Sequence, residues 1–117
     1  MRVHDFRKLF VWQAGKELGV DVYRLCATRP RCELAVTSQL RRSALAIATN
    51  IAEGCGKSTR AETIRYLDIA AASAAETEHH LEVACDLGML DARICAKLLA
   101  RVASIRRMLH ALITKLP

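Results

Sequence analysis

Between residues 94 and 116 apolar side chains return at steps of three or four: Ile94, Leu98, Val102, Ile105, Leu109, Leu112 and Leu116. That period belongs to an α-helix with one apolar stripe, and such a stripe must be covered by another element. The pattern recurs upstream, as Val36, Leu40, Ala44, Ile47 and Ile51, and as Val11, Ala14, Leu18, Val22 and Leu25. Between them and the last stripe lies a segment whose centre, Ala70-Ala71-Ala72-Ser73-Ala74-Ala75, is small on every face. Small residues there let helices approach closely on more than one side. Helices are expected over about 8–27, 33–53, 59–87 and 91–115, and the short gaps make antiparallel neighbours the simplest topology. The fold class is therefore all-α, an up-down antiparallel four-helix bundle, and 117 residues accommodate one such domain. Composition agrees, with 52% hydrophobic residues but only 4% aromatic ones, five glycines and two prolines.

The expected boundaries carry their own chemistry. Arg29-Pro30 closes the first helix, and Gly54 is expected to stop the second by taking the left-handed conformation. Thr59-Arg60-Ala61-Glu62 has the form of a capping box for the third, and Asp91 is a suitable N-cap for the fourth. Trp12, Gly15, Gly19 and Tyr23 share a second face of the first helix. Two glycines inside a helix each cost about 1 kcal/mol relative to alanine, so close packing there has to compensate, against either another subunit or the monomer's own core.

Charge is distributed in blocks. Residues 1–65 hold twelve Lys/Arg and six Asp/Glu, residues 66–91 none and six, and residues 92–117 six and none, for a net charge of +6. An antiparallel hairpin turning near Met89 and Leu90 would set Asp86 opposite Arg93, Glu82 opposite Lys97 and Glu78 opposite Arg101. Those pairs would occupy the positive charge of the last helix and leave the surplus in the first 65 residues. There Arg41, Arg42, Lys57, Arg60 and Arg65 gather around the second helix and the glycine hinge, and Arg24, Arg29 and Arg31 around the first turn. Lys57 and Arg60 also flank a helix N-terminus, where amides and the helix dipole favour phosphate. Nucleic-acid binding through phosphates is the function expected of these five residues, with a solvated basic face as the plainer reading.

Other chemistry finds little support. The five cysteines, Cys26, Cys32, Cys55, Cys85 and Cys95, are odd in number and form no C-x-x-C pair. They are read as reduced thiols without a disulfide framework or zinc site, in keeping with a cytoplasmic location. No transmembrane segment or signal peptide is expected. Glu76-Thr77-Glu78-His79 has the Glu-x-x-His spacing of di-iron bundles, but it occurs once and residues 92–117 contain no carboxylate side chain. Glu76 and His80 read as a surface hydrogen-bonded pair, and Asn50 and Glu53 as structural polar groups near the hinge. Gly56-Lys57-Ser58 ends like a phosphate loop, yet Ile51 stands where the first glycine belongs and a helix where a strand belongs. No catalytic residues, metal ligands or cofactors are assigned, and an enzyme is the weakest reading. A protein-interaction scaffold is the alternative to nucleic-acid binding.

Several stretches together resemble one family. They are Phe6 with Leu9 and Val11-Trp12-Gln13-Ala14; Val22-Tyr23; Gln39-Leu40-Arg41-Arg42; Asn50-Ile51-Ala52-Glu53-Gly54; Glu62 with Arg65-Tyr66-Leu67; Ile69-Ala70; Ser73 with Glu76; and Leu87-Gly88. The chain is similar here to the proteins encoded in 23S rRNA intervening sequences, with Lys57 where arginine is common. The resemblance implies an up-down four-helix bundle that assembles as a homopentamer. A related branch, the accessory proteins of diversity-generating retroelements, implies nucleic acid and a reverse transcriptase as partners.

Overall fold

The computed structural model describes residues 5–28 and 34–116. His4, Arg29, Pro30, Arg31 and Cys32 lie outside them, and with them the expected proline stop. A 3-10 turn, Phe6–Lys8, leads into α1 (Phe10–Ala27), followed by α2 (Leu34–Cys55), α3 (Arg60–Asp86) and α4 (Ala92–Lys115). The expected start of the second helix at residue 33 lies outside the described residues; the other helix ends fall within two residues of the expected positions. The four helices stand at the corners of a square, α1 packing on α2 and α4, and α3 on α2 and α4, while no diagonal pair approaches at the backbone. The result is a rod of 46 × 20 × 19 Å. The antiparallel register shows in the contacts: Gly15 faces Ile47 and Gly19 faces Ala44. Ser43 meets Thr77 and Gly54 meets Thr63.

The apolar stripes converge as their period requires. Leu18 and Val22 of α1, Ile47 and Ile51 of α2, Leu67, Ala74 and Leu81 of α3, and Val102 and Leu109 of α4 are completely buried. Burying a side chain of this size stabilises the fold by about 1.5–3 kcal/mol. One polar seam crosses the core: Thr77 Oγ1 lies 2.9 Å from Ser43 Oγ and 2.8 Å from the Ser73 carbonyl.

Gly15 and Gly19 belong to the monomer. A Cβ at Gly15 would stand 3.1 Å from Ile47 Cγ2, and one at Gly19 would stand 3.2 Å from the Ala44 carbonyl oxygen. The two glycines let α1 lie directly on α2, which compensates their helix penalty. Tyr23, on the same side, is 49% exposed with the Arg41 guanidinium 5.4 Å from its ring centroid.

Two expectations about α3 and α4 need correction. The helices are adjacent and antiparallel, but the expected ion pairs do not form. Arg101 instead reaches across to Asp21 of α1 at 3.0 Å, and Glu78 pairs with Arg106 at 3.0 Å. Arg101 leans toward α1 because its position on α4 faces that side of the square, whereas Arg106 faces α3. Among the described residues Arg93, Lys97, Arg107 and Lys115 make no ion pair. Cys85 and Cys95 form a disulfide rather than two thiols. The turn reverses at Gly88, whose φ of +72° only glycine adopts easily, and this brings the last turn of α3 beside the first turn of α4. The two Cα atoms are then 6.1 Å apart, within bonding range.

A cross-link closing so short a loop is worth about 2–3 kcal/mol. Reduction should therefore liberate two additional thiols and lower the melting temperature by roughly 10 °C, read by thiol titration and circular dichroism with and without reductant. An unchanged thiol count on reduction would show that the bond is not formed.

Candidate nucleic-acid interface

The α2–α3 joint is built from backbone contacts. α2 runs past Gly54 to Cys55, and Gly54 does not end it, because its backbone stays helical; Gly88 alone among the described residues has positive φ. Gly54 is instead a contact point between helices. A Cβ there would lie 3.1 Å from Tyr66 Cβ and 3.2 Å from the Thr63 carbonyl oxygen. The Thr63 hydroxyl, fully buried, donates to the Gly54 carbonyl at 3.1 Å, which fixes the height of α3 on α2. The turn itself closes when the Gly56 amide donates to the Ala52 and Glu53 carbonyls and the Lys57 amide to Gly54. Thr59 then caps α3, its hydroxyl accepting from the Glu62 amide at 3.2 Å.

This joint gathers three of the five expected binding residues. The Lys57 ammonium sits 4.9 Å from the Tyr66 ring centroid, and the Arg65 guanidinium 5.4 Å from the same ring. Arg60 is the first residue of α3 and is exposed. Lys57 also approaches Glu53 at 3.9 Å, a long contact between partly exposed groups that leaves the ammonium available to another anion. A shallow polar hollow lined by Ala52, Glu53, Gly56 and Lys57 opens beside it. Arg41 and Arg42 stand apart. Fourteen helical steps separate Arg41 from Cys55, roughly 21 Å along α2. Arg41 is held over Tyr23, and Arg42 is exposed. The five residues thus form two stations on the rod. The sequence did not point to the aromatic platforms, Tyr66 and Tyr23, beneath three of the cations, since neither neighbours all its partners in the chain.

The neighbouring polar groups have structural work. Asn50 Nδ2 donates to the Ala46 carbonyl at 2.8 Å, and His80 Nε2 lies 3.3 Å from Glu76. Among the described residues no three His, Cys, Asp or Glu side chains cluster as a metal centre requires, and no helix is long and apolar enough to cross a membrane. Burial pushes the Cys55 thiol above its ordinary range, so the folded state favours the neutral form.

These features define the class: an all-α, antiparallel four-helix bundle with cations gathered at one interhelical joint. The pattern of the 23S rRNA-intervening sequence protein family matches residues 7–111, and the chain belongs to that family. A similar solved structure is a protein of unknown function from the S23 ribosomal protein family of Bacteroides thetaiotaomicron. It is 25% identical over 88% of this chain and 97% of its own, with a TM-score of 0.82. No curated protein matches significantly.

Two predictions test the joint. Gly54→Ala should destabilise the fold by about 1–3 kcal/mol despite alanine's better helix propensity, whereas Gly56→Ala, with no atom nearer than 3.5 Å, should be neutral or slightly stabilising in urea titrations. The stability conferred by a neutral Cys55 is complete below the ordinary thiol pKa and is lost as pH climbs through the raised folded value. Its alkylation by iodoacetamide at mildly alkaline pH should accordingly be much slower in the folded protein than in urea.

Proposed function

We propose that the protein is a non-enzymatic, oligomeric helical bundle that binds structured RNA or DNA through phosphate contacts. The observation that carries this reading is the convergence of Lys57, Arg60 and Arg65 at the joint, two of them against the Tyr66 ring. Among the described residues, Arg41, Arg42, Arg60 and Arg65 have no carboxylate partner. The family's name ties it to a segment within 23S rRNA, which favours structured RNA as the first ligand to try. Arginine supplies forked, bidentate phosphate contacts, whereas Lys57 acts as a point charge. The two stations lie far enough apart to engage separate phosphates of one helical nucleic acid. With so few aromatic side chains, base stacking plays little part and recognition is by backbone and shape. Assembly is as a homo-oligomer, by family analogy a pentamer, which would multiply these contacts; a reverse transcriptase is a further partner on the same analogy.

A scaffold that binds proteins is the second reading. It is favoured by exposed apolar side chains, with Phe10 79%, Leu34 72% and Leu87 59% accessible.

Binding of a fluorescent structured RNA, followed by anisotropy, should weaken by roughly 10²–10³-fold between 50 and 200 mM salt if about five phosphates are neutralised. Alanine at Lys57, Arg60 or Arg65 should each reduce the salt slope by about one. Binding that is insensitive to salt, or absent at low salt for both RNA and DNA, would leave the scaffold reading in its place.

A further inference from the structure

The ion pairs that fail to form within the α3–α4 hairpin leave two charged faces of opposite sign. On α4 the side turned away from the core carries Arg93, Lys97, Arg107 and Lys115, exposed and without an ion pair among the described residues. On α3 the outward side carries Asp68, Glu82 and Asp86, likewise exposed and unpaired, with Glu76 engaged only by His80. At helical spacing each set lies opposite the buried residues of its own helix, so both point out of the bundle and away from each other. Small side chains sit among the charges, Ala72 and Ala75 on α3 and Ala100 and Ala111 on α4, and the exposed His79 is the one bulky uncharged side chain on the α3 face.

We infer that these two faces are the halves of one head-to-tail contact, the acidic outer face of α3 on one copy of this chain receiving the basic outer face of α4 on the next. This rests on the reading that the chain self-associates, and names the surface through which it does so. Charge complementarity selects the occupant, because α4 bears six cationic and no anionic side chains beyond Ala92, and the outer side of α3 supplies the matching carboxylates.

The register follows from the bundle. The Cys85–Cys95 bond and the Glu78–Arg106 pair mark which levels of α3 and α4 coincide along the rod. A neighbouring copy related by rotation about an axis parallel to the rod keeps the same levels. Asp86 then meets Arg93 of the next copy, Glu82 meets Lys97, Glu76 lies level with Arg107, and Asp68 with Lys115. The contact uses a different surface on each side, so repetition does not stop at a two-fold dimer and gives a ring where the rotation closes. Rim pairs of this kind set partner choice and register more than affinity.

Two double variants test the assignment, E82K/D86K on the acidic face and R93E/K97E on the basic face. Each alone should weaken assembly at least about tenfold, read as mass by analytical ultracentrifugation, with helical content preserved by circular dichroism. Mixing them should restore contacts between unlike copies, since each supplies the face complementary to the other's reversed one, giving mixed species heavier than either variant alone. Strict alternation closes only rings with an even number of copies, so the wild-type mass is not the criterion, and repulsion inside one chain would not be relieved by mixing. The fourfold swap E82K/D86K/R93E/K97E should also assemble. If the wild-type chain is monomeric at tens of micromolar, self-association itself falls. If it assembles and both double variants keep their mass, only the interface assigned here is wrong. If R93E/K97E keeps its mass but loses RNA binding, the α4 face serves nucleic acid and the inference is overturned.

Discussion

The close approach of α2 and α3 at Gly54 is the constraint on which the remaining geometry depends. With no Cβ between them, the two helices come near enough for the buried Thr63 hydroxyl to reach the Gly54 carbonyl. A hydroxyl buried without such an acceptor would cost about 1–3 kcal/mol, so the bond selects one height of α3 on α2. That height places Thr77 beside Ser43 further along and sets Tyr66 between Lys57 and Arg65. Register, polar seam and cation platform are thus consequences of one missing methyl group.

The same principle recurs on the other side of the square, where Gly15 and Gly19 bring α1 onto α2. α2 therefore carries close seams on both flanks. On α4 the larger residues Leu98, Val102, Ile105 and Leu109 fill the core, and the outer surface is left to charge. A bundle held by tight seams around one helix has outer faces on α3 and α4 whose composition can answer to partners.

Much of this was legible in the chain because helix period and capping are local. Leu18, Ile47 and Val102 were readable as core from spacing alone, and Thr59 and Asp91 start their helices as their side chains predict. What failed depended on rotation and height, which a linear pattern does not hold. Gly54 is at the end of a stripe and so resembled a stop, but its neighbours in space are Thr63 and Tyr66. Constant offsets along a hairpin paired Glu78 with Arg101 without regard to the direction each side chain leaves its helix. Arg101 faces α1, where Asp21 waits. Cys85 and Cys95 were read as reduced thiols, and their bond appears only once Gly88 folds one helix end onto the other. The five candidate phosphate ligands were legible as charges, but their division into two stations required the rod.

An even number of antiparallel helices returns the chain to the level from which it set out. The 3-10 turn before α1 and the final residues of α4 therefore emerge at the same end of the rod as the α2–α3 joint, while the disulfide-bonded hairpin caps the far end. Any tag, fused domain or surface attachment at either terminus would stand beside the cation-rich joint and crowd whatever approaches it. A probe attached near Gly88 would report on the molecule from the quiet end.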